Sequence, residues 1–360
     1  MAFDPGFETN KLLYAFYTNA NGDLELSRFK EGINLDTALF DGIMLTIPNP
    51  GDSKNLGGEI HFGPDGNLYI STGDGDTKDA AAGNAQNTRS LLGKILRITP
   101  ADAVNQASNY TIPPDNPYNN EVFASGLRFP YRWGFDRVTK EIWIGDRGDS
   151  SIEEINSLSF GSLNAANFGW PCYEGSNTFN TAGCGAAADY PFPVYQYPSP
   201  GNGSSVTGGT FYRGETFIAL KGYYIFADAY NGKIYLSKYD SLTHKYIATS
   251  QFLFPGAISD ISEDSNGELY ATSLLGGIYR IGASGPRLYR FLGNGNWDNA
   301  NNWSNKKIPP AVLPSGSEIV ISPGNEGECI LNVPQTVSAG SKIIVEDNQR
   351  FRIVGNLTIQ

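Results

Sequence analysis

Residues 55–98 hold the densest group of side chains suited to chemistry. The segment reads NLGGEIHFGPDGNLYISTGDGDTKDAAAGNAQNTRSLLGKILRI, which predicts a strand, a turn and a second strand ending in a glycine-rich loop. The oxygen-bearing side chains in and just after that loop are Asp74, Asp76, Asp79, Asn84 and Gln86. Such oxygens at this spacing can gather a hard cation such as Ca²⁺, although acidic turn residues are more often simply solvated.

A second group of polar side chains lies in GLRFPYRWGFD (126–136). Arg128 and Arg132 stand there among aromatic residues on a predicted loop. Guanidinium groups in such a setting can clamp an anion or a quinone. Cation–π packing between neighbouring sheets explains the same pattern equally well. The chain has two histidines, His61 and His244, and both are expected to be structural or exposed.

The cysteines indicate the compartment. Cys172 and Cys184 lie close together in the loop WPCYEGSNTFNTAGC, whereas Cys329 is remote. Two cysteines that close a short loop predict a disulfide, and this places the chain in an oxidising environment: secreted, periplasmic or at the cell surface. Two unpaired loop thiols are the alternative.

Composition limits the fold and the partners. The 42 Gly and 21 Pro and the low charged fraction of 18% argue against helical bundles, and 40% hydrophobic residues are ample for a core. A net charge of −11 without a basic run argues against nucleic-acid or anionic-membrane binding. Because no apolar stretch approaches about 18 residues, no membrane span is expected.

Short strands after turn signals recur through the first 285 residues and predict an all-β fold. The clearest units are PDGNLYISTGD (64–74), RVTKEIWIGDRGD (137–149), YYIFADAYNGKIYLSKYD (223–240) and DSNGELYATSLLGGIYRI (264–281). At about 45–50 residues for each blade, this length predicts a six-bladed β-propeller. A β-sandwich or barrel is the alternative.

After Gly285 the repeated turn-and-strand pattern of the blades ends, and short strand-like runs follow among Asn, Gly and Pro residues. We therefore predict a propeller over 1–285 and a truncated accessory β domain over 286–360. In that second part, Trp297 and Trp303 could stack on sugars, but they more often fill a small β core. The sequence begins at once with strand material and stops within a strand, so the propeller is expected to be incomplete at its N-terminal edge.

Five motifs in order resemble the glucose/sorbosone dehydrogenase family, and the last of them is most similar to its hedgehog-interacting-protein-like branch. The motifs are GGEIHFGPDGNLYISTGDGD, AQNTRSLLGKILRI, GLRFPYRWGFD, IGDRGDSSIEEIN and NFGWPCYEG. The resemblance covers about residues 1–282. It implies a six-bladed propeller and, as in many members, pyrroloquinoline quinone (PQQ) and Ca²⁺ for the oxidation of aldose sugars.

The resemblance also implies a site, and this chain departs from it at the general base. In the enzymes a His two positions before the Gly-Gly pair removes the proton from the anomeric hydroxyl. Asn55 stands in that position here, before Gly57 and Gly58. Asn can hydrogen-bond a sugar but has no basic lone pair for its proton. Asp74 matches the acid that would orient the missing His.

The quinone contacts are depleted in the same way. Arg128 matches the active-site arginine, but the Asn that usually follows it is Phe129. The two arginines that grip the quinone carboxylates are Ala257 and Ser259 here, and a lysine is replaced by Tyr230. Besides Arg128 and Asp74, the residues that remain for PQQ or Ca²⁺ are Gln86 for the cofactor and Gly148 and Asp149 for the metal.

Two functional hypotheses follow. The first is a secreted PQQ- and Ca²⁺-dependent dehydrogenase that oxidises an aldose at the anomeric carbon, with Asp74 as the pocket acid and Arg128 as the quinone contact. The second is a catalytically degenerate propeller that binds a glycan or a partner protein.

Overall fold

The chain is built almost wholly of β-strands. The computed structural model describes residues 1–34, 36–49, 54–75, 81–102, 109–200, 203–254, 256–324 and 326–360. The helices within these ranges are α1 (Phe7–Asn10), α2 (Ala81–Asn84) and the 3-10 turns Phe160–Ser162, Ala187–Asp189, Ile218–Leu220, Ala300–Asn302 and Ser304–Lys306. None of the described helices is long and apolar enough to cross a membrane.

The first three sheets use residues 2–198 and are antiparallel. Sheet 1 pairs its strands in chain order: β1 (Ala2–Phe3), β2 (Leu12–Thr18), β3 (Leu24–Glu31) and β4 (Ala38–Ile47). Sheet 2 consists of β5 (Ile60–Phe62), β6 (Leu68–Thr72), β7 (Lys94–Pro100), β8 (Tyr110–Thr111) and β9 (Val122–Ser125), with β9 paired to β7. Sheet 3 begins with β10 (Pro130–Phe135), β11 (Ile142–Asp146) and β12 (Ile152–Leu158).

Sheet 3 is completed after an insertion. A small hairpin comes first, of β13 (Tyr173–Glu174) and β14 (Asn177–Thr178), and then β15 (Tyr195–Pro198) pairs with β12. Sheet 4 comprises β16 (Val206–Phe211), β17 (Tyr224–Asp228), β18 (Lys233–Asp240) and β19 (Lys245–Leu253). Sheet 5 comprises β20 (Ile258–Glu263), β21 (Leu269–Ser273) and β22 (Ile278–Arg280).

The described residues therefore form five blade-like sheets, and the prediction of six blades is wrong. The prediction divided the length of the repeating region, 285 residues, by the average number of residues in a blade. Sheet 2 alone spans residues 60–125 and sheet 3 spans 130–198, because loops and the β13–β14 hairpin are inserted between paired strands. The prediction of an all-β fold is confirmed.

Local sequence explains why the central strands form. β6 reads LYIST and is buried along its whole length, since it lies between β5 and β7. β-Branched and aromatic residues favour such a strand. Leu68, Ile70 and Leu96 join one apolar core, and Tyr69 and Ile95 point to the other face and join a second. Alternation along the strand thus fills both faces of sheet 2.

The last part of the chain has a different architecture. Its strands form three parallel sheets, so that the backbone runs in three turns that we call coils. Coil 1 is β23 (Leu288–Phe291), β24 (Gly295–Asn296) and β25 (Val312–Leu313). Coil 2 is β26 (Glu318–Ile321), β27 (Glu328–Leu331) and β28 (Gln335–Val337). Coil 3 is β29 (Lys342–Val345), β30 (Arg350–Ile353) and β31 (Leu357–Ile359).

Both tryptophans of this region are core residues. Trp297 and Trp303 are 0% and 3% exposed, their rings meet edge to face at 4.7 Å, and Trp303 Nε1 donates to the carbonyl of Trp297 at 2.6 Å. They are therefore buried in the coil interior, which leaves neither of them as a platform for a sugar.

The described chain divides into two compact units. Unit 1 contains residues 1–210, 224–261 and 272–277, and unit 2 contains residues 211–223, 262–271 and 278–360. Because unit 2 also takes in segments that precede residue 285, a separate truncated accessory domain that starts at 286 is not identified. The division into 1–285 and 286–360 stays a prediction.

Candidate functional site

Asn55 and Asp74 lie side by side in unit 1, at the end of the β5–β6 hairpin opposite its turn. Asn55 precedes β5 and Asp74 follows β6, so antiparallel pairing brings them to the same end. Backbone bonds close this end: Gly73 N donates to the Leu56 carbonyl at 2.8 Å and Gly75 N to the Asn55 carbonyl at 3.1 Å. Asn55 Nδ2 then donates to Asp74 Oδ1 at 3.3 Å, and both side chains are buried.

Trp170 completes the environment of Asp74. Its Nε1 donates to Asp74 Oδ2 at 2.9 Å, across 96 residues of sequence. The Asp74 amide donates to the Arg128 carbonyl at 2.8 Å. The carboxylate, which is 1% exposed, is thus held by the amide of Asn55 and the indole of Trp170. The structure places Asn55 and Asp74 together, as the family motif implies.

Arg128 is tied to the loop that follows β11. Its Nη1 donates to the Gly148 carbonyl at 2.6 Å and its Nη2 to Asp149 Oδ1 at 2.9 Å. The guanidinium also lies 5.5 Å from the centre of the Trp170 ring. The arginine side chain is only 8% exposed. Arg128, Gly148, Asp149 and Trp170 therefore form one connected group next to Asp74.

The contacts of Arg128 occupy the two residues that were predicted to bind Ca²⁺, Gly148 and Asp149. Both oxygens already accept from a guanidinium, and a divalent cation there would have to share them with that positive charge. In the described part of the chain no group of three His, Cys, Asp or Glu side chains is arranged to hold a metal. Asp76 and Asp79 lie outside the described residues. The site as described does not fit Ca²⁺ held by Gly148 and Asp149.

A PQQ molecule carries three carboxylates and would need positively charged partners at this site. Arg128 is the one cation of this group, and Asp149 already neutralises it at 2.9 Å. Asp74 is buried close by and adds negative charge. Charge-assisted bonds to the cofactor carboxylates would have to displace the existing partners of Arg128. The arrangement thus fits a trianionic cofactor poorly, and we derive no step through it.

Gln86 holds the segment that carries Trp170 in place through hydrogen bonds. Its Nε2 donates to the Trp170 carbonyl at 2.6 Å and to Asn167 Oδ1 at 3.0 Å, and its Oε1 accepts from Asn167 Nδ2 at 2.7 Å. Both ends of the amide are therefore used to hold the segment that carries Trp170. Its assignment to cofactor binding stays a prediction.

The described contacts of Arg132 are with other residues than those of the Arg128 group. Its Nε donates to the Ser259 carbonyl at 3.1 Å, and the guanidinium lies 4.3 Å from the centre of the Tyr131 ring. Because Tyr131 directly precedes Arg132 in β10, this contact lies within one strand, and cation–π packing of Arg132 between sheets stays a prediction.

The two histidines contact residues other than Asn55 and Asp74. His61 Nε2 is 3.3 Å from Glu59 Oε1, and its ring meets Trp133 edge to face. His244 Nδ1 is 3.2 Å from the hydroxyl of Tyr239 in an exposed turn.

Lys94 is a residue of this region that sequence reasoning missed. It is fully buried on β7, and its Nζ donates to the carbonyls of Asn84, Ala85 and Leu92 at 2.5, 2.9 and 2.8 Å. Burial lowers the pKa of its amine to about 7. Asn84 in turn donates to the Asp74 carbonyl at 3.0 Å. A lysine in the apolar stretch LLGKILRI was the available signal, because a strand centre rarely carries one.

Buried carboxyls in sheet 3 adjoin the site and were also missed. Asp146 accepts the backbone amides of Arg128 at 3.0 Å and Phe129 at 2.6 Å. Burial nevertheless raises its pKa to about 7, and the nearby charge of Asp74 adds to the effect. Burial and then the charge of Asp146 raise the pKa of Glu154 well above its usual range, and burial raises that of Glu153 to about 7.

These carboxyls predict how stability depends on pH. A carboxyl whose pKa is raised on folding binds more protons in the folded state, so its contribution is complete below the unfolded pKa and is lost as pH rises through the folded one. The free energy of unfolding should therefore fall between about pH 4.5 and pH 7. For Glu153, a shift from 4.5 to about 7 corresponds to about 3 kcal/mol.

Glu153→Gln tests this pH dependence. Glutamine keeps an oxygen for the Val206 amide, which Glu153 Oε2 accepts at 2.9 Å, but does not titrate. Denaturant unfolding across this pH range should give a flatter curve for Glu153→Gln than for the unmodified chain. Glu8→Gln, at an exposed position, is the matched control. Equal slopes for all three proteins would contradict the prediction.

The chemistry open to this site is hydrogen bonding. The described contacts place an amide and an indole around the buried carboxylate of Asp74 and a guanidinium against the partly exposed carboxylate of Asp149, and these groups suit the recognition of hydroxyl-rich or polar ligands. Asn55 supplies no proton acceptor of useful basicity where the family motif expects one.

Comparisons with known proteins agree with the fold and the motifs. The family model described as Glucose / Sorbosone dehydrogenase matches residues 1–278. The HIPL1 protein of Arabidopsis thaliana is 31% identical over 271 residues, which cover 62% of this chain and 38% of that protein. The Hedgehog-interacting protein of Homo sapiens is 30% identical over 236 residues, which cover 61% of this chain and 31% of that protein. The chain thus spans about a third of the length of these curated relatives.

Among solved structures, the PQQ-bound form of aldose sugar dehydrogenase from Streptomyces coelicolor aligns with a TM-score of 0.58 at 22% identity. The alignment covers 75% of this chain and 72% of that one. At this identity the likeness shows the propeller fold alone. Since the family model matches well over half of its residues, the chain belongs to the glucose/sorbosone dehydrogenase family.

Proposed function

We propose that this chain is a binding member of its family, which recognises a partner through the propeller and transfers no hydride from sugars. The observation that carries the proposal is Asn55 in the position of the base, with its amide directed at Asp74 at 3.3 Å. A primary amide has no lone pair that takes a proton near neutral pH. The engagement of Arg128 by Asp149 supports the same conclusion.

A protein is the partner class we favour over a glycan. The curated relatives include a protein named for interaction with Hedgehog. On this chain, Phe179 lies inside the loop closed by the Cys172–Cys184 disulfide and Phe192 lies in the segment that follows it, and the two residues are 47% and 42% exposed. Exposed aromatic side chains on and beside a covalently braced loop are typical anchors of protein interfaces. The disulfide also supports a secreted, periplasmic or cell-surface location.

The second candidate is PQQ- and Ca²⁺-dependent oxidation of an aldose at its anomeric carbon. The family description favours it. In that case Asp74 would be the pocket acid, Arg128 and Gln86 would contact the cofactor, and Gly148 and Asp149 would hold the metal. A base other than Asn55 is then required.

One titration separates the two candidates. The purified chain is titrated with PQQ in excess Ca²⁺ and followed by absorbance, and then dye reduction is measured with a panel of aldoses. We expect neither saturable binding nor sugar-dependent reduction, while the Streptomyces coelicolor enzyme under the same conditions gives both. Sugar-dependent turnover by this chain would overturn the proposal and establish the second candidate.

The partner class is tested separately. The immobilised chain is exposed to a glycan panel and to secreted proteins of its source, with a Phe179→Ser/Phe192→Ser variant as the matched control. Retention of a specific protein by the unmodified chain and its loss in the variant are expected. Binding of glycans alone would contradict the preference for a protein.

A further inference from the structure

A small cavity in unit 2 is lined by cationic and hydrogen-bonding side chains. Its volume is about 10 Å³, and its polar lining residues are Thr216, Arg287, Tyr289, Ser304, Asn305 and Lys307. A volume of this size holds about one water-sized atom. The chain carries a net charge of −11, yet none of the described residues that line this cavity is acidic. The cavity is therefore a positively charged place within an acidic protein.

Backbone pairing brings Thr216 and Arg287 to the cavity. Phe217 and Arg287 form an antiparallel bridge, and Leu288 N donates to the Thr216 carbonyl at 3.1 Å. The Arg287 guanidinium lies 5.2 Å from the centre of the Phe217 ring, and the arginine is half-buried. This packing restricts a long side chain before any ligand binds, so less conformational entropy is lost on binding.

The turn Ser304–Lys306 supplies the other wall of the cavity. Asn305 and Lys306 have φ angles of 57° and 52°, in the left-handed region that a lysine rarely adopts. Asn305 Nδ2 donates to Thr216 Oγ1 at 3.1 Å, which fixes the turn against the segment of Thr216. The turn is followed at once by Lys307, which lines the cavity. Backbone strain of this kind is often found at functional sites.

The Thr216 hydroxyl is available as a donor at the cavity. Its Oγ1 accepts from Asn305 Nδ2 at 3.1 Å and from Arg280 Nη2 at 3.5 Å. A hydroxyl group has two lone pairs and one hydrogen. The two donors occupy the lone pairs, so the hydrogen of Thr216 remains for an acceptor.

Arg287 and Lys307 have no carboxylate partner among the described residues. Acidic residues do adjoin these segments, but each is paired with another cation: Glu268 with Arg280 at 2.9 Å, Glu215 with Arg290 at 3.1 Å and Glu318 with Lys342 at 3.6 Å. Two cations and one hydroxyl hydrogen thus surround the cavity without an acceptor. Such a set of donors matches an anion whose oxygens accept hydrogen bonds.

We propose that this cavity binds one oxygen of a sulfate or phosphate group, with Arg287, Lys307 and the Thr216 hydroxyl as its donors. The planar fork of an arginine suits oxyanions, and a lysine adds a point charge. Lys307 is exposed, so the other oxygens of the group, or an ester substituent on one of them, extend into solvent. A free anion and the ester group of a larger molecule therefore both fit. The site shares no residue with the Asn55–Asp74 site of unit 1.

Isothermal titration of the 360-residue chain with sodium sulfate and sodium phosphate, at constant ionic strength set with sodium chloride, tests the proposal. Methyl sulfate and methyl phosphate are titrated in the same way. Saturable binding of one oxyanion by each chain is expected. Equal binding of an ester supports a group on a larger molecule, whereas binding of the free ions alone supports an inorganic anion. If none of the four binds, the cavity holds only water and the proposal is overturned.

Substitution of the two cations tests the location of the anion. Arg287→Gln removes a charge-assisted hydrogen bond and should weaken binding about 10- to 100-fold. Lys307→Glu reverses an exposed charge that has no ion pair among the described residues, so it should fold normally and weaken binding about tenfold. Lys245→Glu makes the same charge change at an exposed position of β19 and should leave the affinity unchanged. Equal affinities of the Lys307→Glu and Lys245→Glu variants would show that the anion does not bind in this cavity.

Discussion

Replacing Gly73 by alanine is expected to lower the free energy of unfolding by about 3 to 4 kcal/mol. A methyl group on Gly73 would overlap the carbonyl oxygen of Asn55 and lie 2.5 Å from its carbonyl carbon. Both atoms belong to backbone, which cannot turn aside as a flexible side chain does. Relief of the overlap requires the strand ends to separate.

That separation breaks the closure of the β5–β6 hairpin. The bonds from Gly73 N to the Leu56 carbonyl and from Gly75 N to the Asn55 carbonyl hold the two strand ends together. They also set the 3.3 Å contact between Asn55 and Asp74. Gly73→Ala should therefore affect the candidate site as well as the stability of unit 1.

Gly161→Ala is the matched control. An added Cβ at Gly161 meets no atom within 4 Å, and its backbone is not in the left-handed region. Its free energy of unfolding should change by no more than about 0.5 kcal/mol. Denaturant unfolding of both variants measures the difference. Similar stabilities for the two would show that the Asn55–Gly73 approach is less tight than described.

The strands of the blades could be predicted from the sequence, whereas their number could not. The turn in PDGNLYISTGD and the alternating residues after it specify β6 directly, because turn chemistry and period-2 patterning are local. The number of sheets depends on how much chain is inserted between paired strands. The hairpin and loop between β12 and β15 carry no signal that separates an insertion from a new blade.

The candidate site likewise has a part that the sequence predicts and a part that it does not. Asn55 and Asp74 could be placed together because one hairpin carries both. The engagement of Arg128 by Asp149 and of Asp74 by Trp170 joins positions 21 and 96 residues apart. Such contacts arise only after sheets have packed, so no pattern in GLRFPYRWGFD distinguishes a free arginine from a paired one. The parallel coils escaped prediction because short strands read alike in parallel and antiparallel sheets.

The disulfide gives the second large expected effect. Cys172 and Cys184 are bonded and 12 residues apart, which confirms the predicted pair. A crosslink over such a loop stabilises a protein by about 3 kcal/mol, chiefly by restricting the unfolded chain. Cys172→Ser/Cys184→Ser should therefore lower the free energy of unfolding by about that amount.

The same loop carries Trp170, two residues before Cys172. The Trp170 indole donates to Asp74 at 2.9 Å and packs 4.8 Å from the ring of Phe179, which lies inside the disulfide loop. Loss of the crosslink should thus loosen the indole on Asp74 and shift tryptophan fluorescence before global unfolding. A reductant should lower the unfolding midpoint of the unmodified chain and leave that of the double variant unchanged. A midpoint insensitive to reduction in both proteins would mean that the packing of Trp170 and Phe179, and not the crosslink, holds this loop in place.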